Sequence, residues 1–183
     1  VIHRIKNLKK VCPHFHLSLQ SGCDETLKRM NRRYTSSEYM DIVSNLRKSI
    51  KDMAITTDII VGFPGETDEE FNSTYEFLSK IKLSKMHIFK YSKREGTKAA
   101  SMEDQVDENT KEERSKKLID LNEKLEHEFM AKFIGREMDV LYDREISKKQ
   151  NVFEGYTSNY MKVISKSNEN IKGKIFNTKL ESI

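Results

Sequence analysis

The stretch Thr56-Thr-Asp-Ile-Ile-Val-Gly-Phe-Pro-Gly-Glu-Thr67 combines a strand, a turn and the start of a helix. Its apolar run, Ile59 to Val61, stops at Gly62-Phe-Pro-Gly65, and Thr67 has a glutamate three residues later, which is the spacing of a capping box. In α/β proteins, ligands bind beyond the carboxyl ends of parallel strands, where such turns lie. This stretch therefore predicts both the fold class and the position of a site.

Strands and helices alternate around this stretch. We expect a first strand over His14–Gln20 and, after the second, a third over Met86–Tyr91, with Asp24 capping a short helix that ends near Met30. Another capping box, Thr35 with Glu38, should open the helix before the second strand. The residues expected on the inner faces of the two longer helices are Tyr39, Ile42, Val43, Leu46 and Ile50, and then Phe71, Tyr75, Leu78 and Ile81. The alternation predicts an α/β fold with a parallel sheet.

Three strands are too few for a closed barrel. The first strand would also present an open edge unless other strands paired with it. We therefore expect the α/β part to be the C-terminal half of a larger barrel whose N-terminal half is missing, and a first residue of Val1 rather than Met points the same way.

The character of the chain changes near Gly135. A long helix is expected over 107–134, with a stripe of Leu118, Leu121, Leu125, Phe129 and Phe133, and short strands separated by polar turns follow it. This predicts two domains, 1–135 and 136–183, the second a small all-β, OB-like barrel. Such barrels bind RNA through aromatic and cationic side chains, for which Tyr156, Tyr160 and Lys162 are the candidates. The alternative is that these side chains form the core and rim of the barrel. Tyr160 is expected inside a strand over 160–164.

Composition restricts the location and the chemistry. The 183 residues hold no apolar run near the ~20 needed to cross a bilayer, and only two cysteines, Cys12 and Cys23, so we expect a cytoplasmic protein with no membrane partner. Residues 1–34 carry eight Lys/Arg against two Asp/Glu, a bias that suits nucleic acid but also an ordinary solvated surface. His14 and His16 have no third ligand at a suitable spacing, so no metal site is expected in this chain.

Polar residues and glycines follow all three predicted parallel strands. Gln20 offers an amide, Glu66 stands at a helix N-terminus, and Arg94 offers a planar fork for a carboxylate or phosphate. These residue types suit a polar or nucleotide-like ligand. Alternatively, Glu66 stabilises the start of its helix and Arg94 forms a surface ion pair. The complete set of expected binding residues is Ser18, Gln20, Asp58, Gly62, Phe63, Gly65, Glu66 and Arg94.

Three motifs, in this order, resemble those of the radical S-adenosylmethionine methylthiotransferases. They are His14-Phe-His-Leu-Ser-Leu-Gln-Ser-Gly-Cys23, Thr57-Asp-Ile-Ile-Val-Gly-Phe-Pro-Gly-Glu66 and Tyr91-Ser-Lys-Arg-Glu-Gly-Thr97. The residues of the first motif are most similar to those of the branch of the family that modifies N6-threonylcarbamoyladenosine beside the tRNA anticodon.

The resemblance implies the second half of a radical SAM partial barrel, followed by a TRAM β-barrel that binds the tRNA anticodon stem-loop. It also implies S-adenosylmethionine and two iron–sulfur clusters in the full-length enzyme, and it would place the binding residues named above around the cofactor or the substrate. The family's Cys-x-x-x-Cys-x-x-Cys motif is absent from these 183 residues. We therefore expect this chain alone to bind no cofactor and to be inactive. The alternatives are a ribosomal-protein methylthiotransferase, another iron–sulfur oxidoreductase, or a non-catalytic RNA-binding protein.

Overall fold

The computed structural model describes residues 2–8 and 10–183 as two sheets with helices around the first. None of the helices within these ranges is long and apolar enough to cross a membrane. The helices are α1 Ile2–Ile5, α2 Asp24–Arg29, α3 Ser36–Ser49, α4 Asp68–Ile81 and α5 Glu108–Ala131, with a short 3-10 helix over Lys98–Ser101. The strands are β1 His14–His16, β2 Ala54–Val61, β3 Lys85–Lys90, β4 Glu137–Ser147, β5 Val152–Thr157, β6 Lys162–Lys166 and β7 Lys174–Lys179.

The first sheet is parallel, in the order β1-β2-β3, as the alternation predicted. Its β1 is shorter than expected because it ends at His16, and Gln20 returns only as an isolated bridge to Ile59. Alternate residues of β2 point into the core against the helices, which bury Ile55, Ile59 and Val61 almost completely. The other face of the sheet is therefore left without a helical layer.

Both predicted capping boxes are confirmed, at Thr35 with Glu38 and at Thr67 with Glu70. Asp24 was wrongly expected to cap α2. The N-cap is Cys23, and the Asp24 carboxylate instead accepts the Ser36 N–H at 2.7 Å, so it links α2 to the start of α3.

Two residues of the longer helices were wrongly expected to face the core. Ile42 is 45% exposed and Tyr75 is 38% exposed. On α4 the buried face is set by Thr74 and Ile81 together with Phe71 and Leu78, which rotates Tyr75 toward solvent. An apolar side chain at the margin of a helical stripe is covered only where a neighbouring element reaches it.

Helix α5 runs along the outer edge of β3. The side-chain oxygen of Asn122 accepts the Met86 N–H at 2.6 Å, which occupies a donor that an edge strand would otherwise expose. Leu118, Leu121 and Leu125 pack into the core as predicted. Closer to its N-terminus, the same helix buries Lys111 and Arg114. Helix α5 therefore closes the edge of the sheet and carries buried cations toward the glycine turn.

The second sheet is antiparallel, in the order β6-β5-β4-β7, and is compatible with a small barrel domain. Its core is formed by Val140, Tyr142, Phe153 and Ile171. Tyr160 lies outside the strand in which it was expected, because β6 begins only at Lys162 and Tyr160 has a left-handed backbone, φ 67°. We call this sheet and its connections, residues 137–179, the β module.

The turn before β2 connects the β module to the parallel sheet. The guanidinium of Arg136 forms two hydrogen bonds with the Asp52 carboxylate, one of them 3.0 Å long, and this pairing lowers the pKa of Asp52. The side-chain amide of Asn159 donates to the Asp52 carbonyl oxygen at 3.3 Å. The β module is thus attached near the amino ends of the parallel strands.

Candidate functional site

The uncovered face of the parallel sheet carries mostly polar side chains, and we call it the open face. Strand alternation and register place nine residues there: His14, His16, Ala54, Thr56, Asp58, Ile60, Lys85, His87 and Phe89. The ring of His16 lies 3.1 Å from the Thr56 hydroxyl and 3.3 Å from the Asp58 carboxylate. Asp58, an expected binding residue, therefore faces the open side of the sheet with an imidazole beside it.

The segment between β1 and α2 is held by hydroxyl groups from its surroundings. Tyr34 donates to the carbonyl oxygens of Ser18 and Leu19 at 3.0 and 2.9 Å, and Tyr39 donates to that of Leu17 at 2.8 Å. Burial raises the pKa of Tyr39 to about 12, so its hydroxyl remains a donor. Ser18 is exposed at this strand end.

Gln20 is fixed through its backbone beside β2. It is buried in a left-handed conformation, φ 73°, and its N–H donates to the Asp58 carbonyl oxygen at 2.9 Å. The structure thus brings Ser18, Gln20 and Asp58 to neighbouring positions at the carboxyl ends of β1 and β2.

The glycine turn after β2 uses its own N–H groups internally. Gly62 N–H donates to a Glu66 carboxylate oxygen at 2.6 Å, Gly65 N–H to the Asp104 carbonyl at 2.7 Å, and Glu66 N–H to the Phe63 carbonyl at 2.9 Å. Gly62, Gly65 and Glu66 were expected from the sequence to be among the residues that bind a ligand. The turn is instead a closed hydrogen-bonded unit at the end of the strand.

Glu66 is the centre of that unit. The Arg114 guanidinium donates to its carboxylate at 2.8 Å and to its carbonyl oxygen at 3.0 Å, and both side chains are almost completely buried. Burial raises the pKa of Glu66, while the Gly62 N–H and Arg114 act in the opposite direction. The carboxylate therefore stabilises the turn and the start of α4, which was the alternative open for it from the sequence.

Close packing leaves little room around the two glycines. Gly62 has φ +70°, and a Cβ there would collide with the Cγ of Lys111. Gly65 has φ +76° with the Arg29 side chain against it. Phe63 is buried edge-on to the Tyr91 ring, with centroids 5.4 Å apart. These glycines admit the protein's own side chains close to the backbone.

Arg94 lies after β3 in an exposed loop. The Thr97 hydroxyl donates to its carbonyl oxygen at 2.7 Å, which fixes the backbone of the loop. Of the eight expected binding residues, Ser18, Asp58 and Arg94 are at least partly exposed, whereas Gln20, Gly62, Phe63 and Glu66 are buried and Gly65 is partly buried in the packed turn.

A second candidate site lies at the amino-terminal half of the open face. A cavity of about 610 Å³, which we call the slot, separates this part of the sheet from the β module and is bordered by α5. All three residues proposed from the sequence to bind RNA line it, Tyr156, Tyr160 and Lys162. The structure thus brings them together with His14, His16 and Lys85 of the open face.

Three aromatic rings are stacked at the slot. The Tyr160 ring lies between His14, with centroids 4.8 Å apart, and Tyr156, with centroids 5.0 Å apart, at interplanar angles of 22° and 19°. His14 comes from the parallel sheet and the two tyrosines from the β module. The stack therefore joins the two sheets through ring faces.

Sequence reasoning missed the buried cations at the turn and the histidine in the stack. A signal for Lys111 and Arg114 exists, because they continue the helical spacing of Leu118, Leu121 and Leu125 toward the start of α5. The partnership of His14 with Tyr160 spans more than 140 residues and has no local signal.

The 183 residues include two cysteines, one fewer than the Cys-x-x-x-Cys-x-x-Cys motif contains. The two cysteines differ in environment, Cys12 being exposed and Cys23 buried at the start of α2. Within residues 2–8 and 10–183, no group of three or more His, Cys, Asp or Glu side chains is arranged to hold a metal ion.

Comparison with known proteins gives the class first. Residues 1–78 match the Radical SAM superfamily. The fold is similar to that of a solved structure described as coproporphyrinogen III oxidase (HemN) from Escherichia coli, a radical SAM enzyme. The TM-score is 0.54 at 16% identity, over 62% of this chain and 27% of that one. The fold that contains the parallel sheet is thus similar to that of a radical SAM enzyme.

The curated relatives are tRNA-modifying enzymes. The chain is 43% identical over 182 residues to threonylcarbamoyladenosine tRNA methylthiotransferase MtaB of Bacillus subtilis, covering 98% of this chain and 40% of that protein. It is 38% identical over 183 residues to tRNA-2-methylthio-N(6)-dimethylallyladenosine synthase of Acetivibrio thermocellus, covering 100% of this chain and 38% of that protein. The chain is thus similar over nearly its whole length to methylthiotransferases that modify tRNA, and it spans about two fifths of the length of these relatives.

Proposed function

We propose that this chain forms the substrate-holding part of a methylthiotransferase that acts on N6-threonylcarbamoyladenosine next to the tRNA anticodon. The observation that carries the proposal is the 43% identity, across nearly the whole chain, to a relative named for that substrate. Relatives named for dimethylallyladenosine follow closely, at 41% identity for Thermoanaerobacter pseudethanolicus, so identity alone does not separate the two substrates.

The chemistry of the open face favours the threonylcarbamoyl substrate. A threonylcarbamoyl group carries a carboxylate and a hydroxyl, whereas a dimethylallyl group is apolar. Six of the nine open-face residues are polar or ionisable, His14, His16, Thr56, Asp58, Lys85 and His87. A surface of this kind binds a polar substituent better than a hydrocarbon.

We propose that Ser18, Asp58 and Arg94 contact S-adenosylmethionine or the modified base, and that the buried residues Gln20, Gly62, Phe63, Gly65 and Glu66 position the backbone around them. S-adenosylmethionine, when bound in an enzyme of this family, supplies the methyl group and the radical. In this chain, the Asp58 carboxylate lies 3.3 Å from the His16 imidazole, a contact that orients both side chains at the open face. The iron–sulfur clusters are proposed to be held by other parts of the whole protein.

We further propose that residues 136–183 form a TRAM-like module that binds the anticodon stem-loop through Tyr156, Tyr160 and Lys162. Support comes from the ring stack and from Lys162, whose side chain is 56% exposed and 3.9 Å from Glu154. Aromatic faces and free cations are the elements with which proteins hold single-stranded RNA.

Nucleoside analysis of bulk tRNA from a strain lacking the gene tests the proposed activity. We expect the methylthio derivative of threonylcarbamoyladenosine to disappear and its unmethylthiolated form to accumulate. Loss of the dimethylallyladenosine derivative instead would reassign the substrate. Unchanged tRNA with a lighter ribosomal protein would favour the protein-modifying alternative, and no change in either would favour a non-catalytic RNA-binding protein.

Replacing Arg94 with alanine tests its proposed contact. In the complete enzyme, we expect Arg94→Ala to abolish or greatly reduce tRNA modification without lowering the unfolding midpoint, because the side chain is exposed. Lys93→Ala, in the same exposed loop, is the control. A wild-type rate for Arg94→Ala would remove Arg94 from the site.

A further inference from the structure

Tyr160 has an unusual combination of features. It is 61% exposed, although both faces of its ring are stacked, and its backbone has φ 67°, a conformation that large side chains adopt rarely. The conformation is imposed by the turn after β5. The Tyr160 N–H donates to the Thr157 carbonyl at 2.9 Å, and the Met161 N–H donates to the Thr157 hydroxyl at 3.0 Å. The turn thus holds a flat ring at the mouth of the slot with its edge open to solvent.

The slot has the features of a base-binding site rather than of a packing defect. Its volume of about 610 Å³ far exceeds that of a water molecule, and its walls combine ring faces with hydrogen-bonding groups. The His14 ring is 3.1 Å from the Thr56 hydroxyl, and Lys85 and Lys162 stand at its border, Lys85 paired with Glu126 at 2.9 Å. Unstacked RNA bases are recognised by aromatic stacking combined with hydrogen bonds to base edges.

The slot is separate from the carboxyl ends of the strands. Thr56 borders it and Val61 ends β2 five residues later, so the two points are about 16 Å apart along an extended strand. This distance is several times the ~3.4 Å rise of one stacked nucleotide. A base in the slot and a base at the strand ends are therefore different nucleotides of one RNA.

We propose that the slot binds one unstacked base that flanks the target adenosine, and that this base extends the stack of His14, Tyr160 and Tyr156 at one of its ends. The inference rests on the proposed function for the identity of the RNA. It adds that the parallel sheet, through His14, takes part in RNA binding together with the β module. The sheet and the module then define the position of the RNA jointly.

Binding of anticodon stem-loops with a single abasic position tests the proposal in the complete protein. In the wild type, we expect one abasic position, distinct from the target adenosine, to weaken binding about tenfold, which corresponds to the loss of one stacked base. In Tyr160→Ala that penalty should disappear, because the central ring of the stack is gone and the outer rings no longer support the base. 2-Aminopurine placed at the same position should be quenched on binding to the wild type and less so to the variant.

Tyr160→Phe keeps the ring and should retain the wild-type penalty. Tyr75→Ala removes an exposed tyrosine far from the slot, and as the control it should also retain that penalty. Should Tyr160→Ala fail to fold, His14→Asn removes the opposite ring and must reduce the penalty at the same position. An equal abasic penalty in wild type and variants, or a penalty confined to the target adenosine, would overturn the proposal. These measurements report binding alone. They can therefore contradict the proposal for the slot while the tRNA nucleoside analysis supports the proposed activity, and they can support the slot while that analysis contradicts the activity.

Discussion

At the carboxyl end of β2, the protein's own groups fill the space around the glycine turn, whereas at the amino-terminal half of the open face three rings border a slot of about 610 Å³. The turn has the sequence signature of a ligand site, yet its N–H groups bind Glu66, Asp104 and Phe63. The slot has almost no signature, because its walls come from distant parts of the chain. A glycine-rich turn thus indicates that another group lies close to its backbone, and that group can be a side chain of the same protein rather than a ligand.

The largest expected effect is at the buried pair of the turn. Glu66→Ala removes the buried partner of the Arg114 guanidinium and the acceptor of the Gly62 N–H, and leaves Arg114 only the exposed Asp68 carboxylate, so we expect it to lower the free energy of unfolding by about 3–5 kcal/mol. Chemical denaturation measures this. Asp68→Ala is the matched control, since Asp68 lies at the same 2.8 Å from Arg114 but its side chain is 84% exposed, and its loss should cost under about 1 kcal/mol. Equal costs for the two variants would contradict a structural role of the buried pair.

A second substitution separates backbone strain from packing. Gly62→Ala forces a Cβ against Lys111 at φ +70°, while Gly96→Ala places one at φ +78° with no atom within 4 Å. Both incur the backbone cost of a left-handed alanine, about 1 kcal/mol or slightly more. We expect Gly62→Ala to be destabilised further by the displacement of Lys111. Thermal unfolding of the two variants gives the difference, and a Gly62→Ala no less stable than Gly96→Ala would show that the turn is loosely packed.

At the slot, removing the charge of a lysine side chain should alter RNA binding without changing the stability of the fold. If Lys162 contacts a phosphate, Lys162→Gln should reduce the slope of log affinity against log salt by about one. Lys117→Gln, on the exposed side of α5, should leave the slope unchanged. Titrations of a tRNA stem-loop at several salt concentrations measure both slopes. An unaltered slope in Lys162→Gln would place the phosphates elsewhere.

The smallest effect concerns pH. Burial, and secondarily the nearby His16, lower the pKa of His14 below the ordinary 6.5, so the folded state prefers the neutral ring. Its contribution to stability is therefore complete above about pH 6.5 and decreases as the pH falls through the folded pKa. The unfolding free energy of His14→Gln should depend less steeply on pH between 7 and 5 than that of the wild type. Parallel pH curves for the two proteins would show that the pKa of His14 is not perturbed.

The sequence predicted what is encoded locally. The capping boxes at Thr35 and Thr67 and the alternation of strands and helices depend on neighbouring residues, and the structure confirms them. Arg114 and Glu66 are 48 residues apart, and the pairing of His14 with Tyr160 depends on how the two sheets meet. Helical spacing indicates that Arg114 is buried, but no local pattern indicates which residue it pairs with. The faces of Ile42 and Tyr75 were wrong for a related reason, since burial at the margin of a stripe is decided by the neighbouring element.

Because the β module is attached at Asp52, the length of β2 sets the distance between that attachment and the carboxyl end of the strand. Arg136 and Asn159 fix the β module to the turn immediately before this strand, and the expected chemistry lies beyond its other end. The first and last of the eight residues of β2 are about 23 Å apart in extended form. In the proposed binding mode, an RNA held near one end of β2 would therefore reach the other end after a fixed length. The number of residues in one strand, rather than contacts to the target base alone, would then select which nucleotide of the loop is modified.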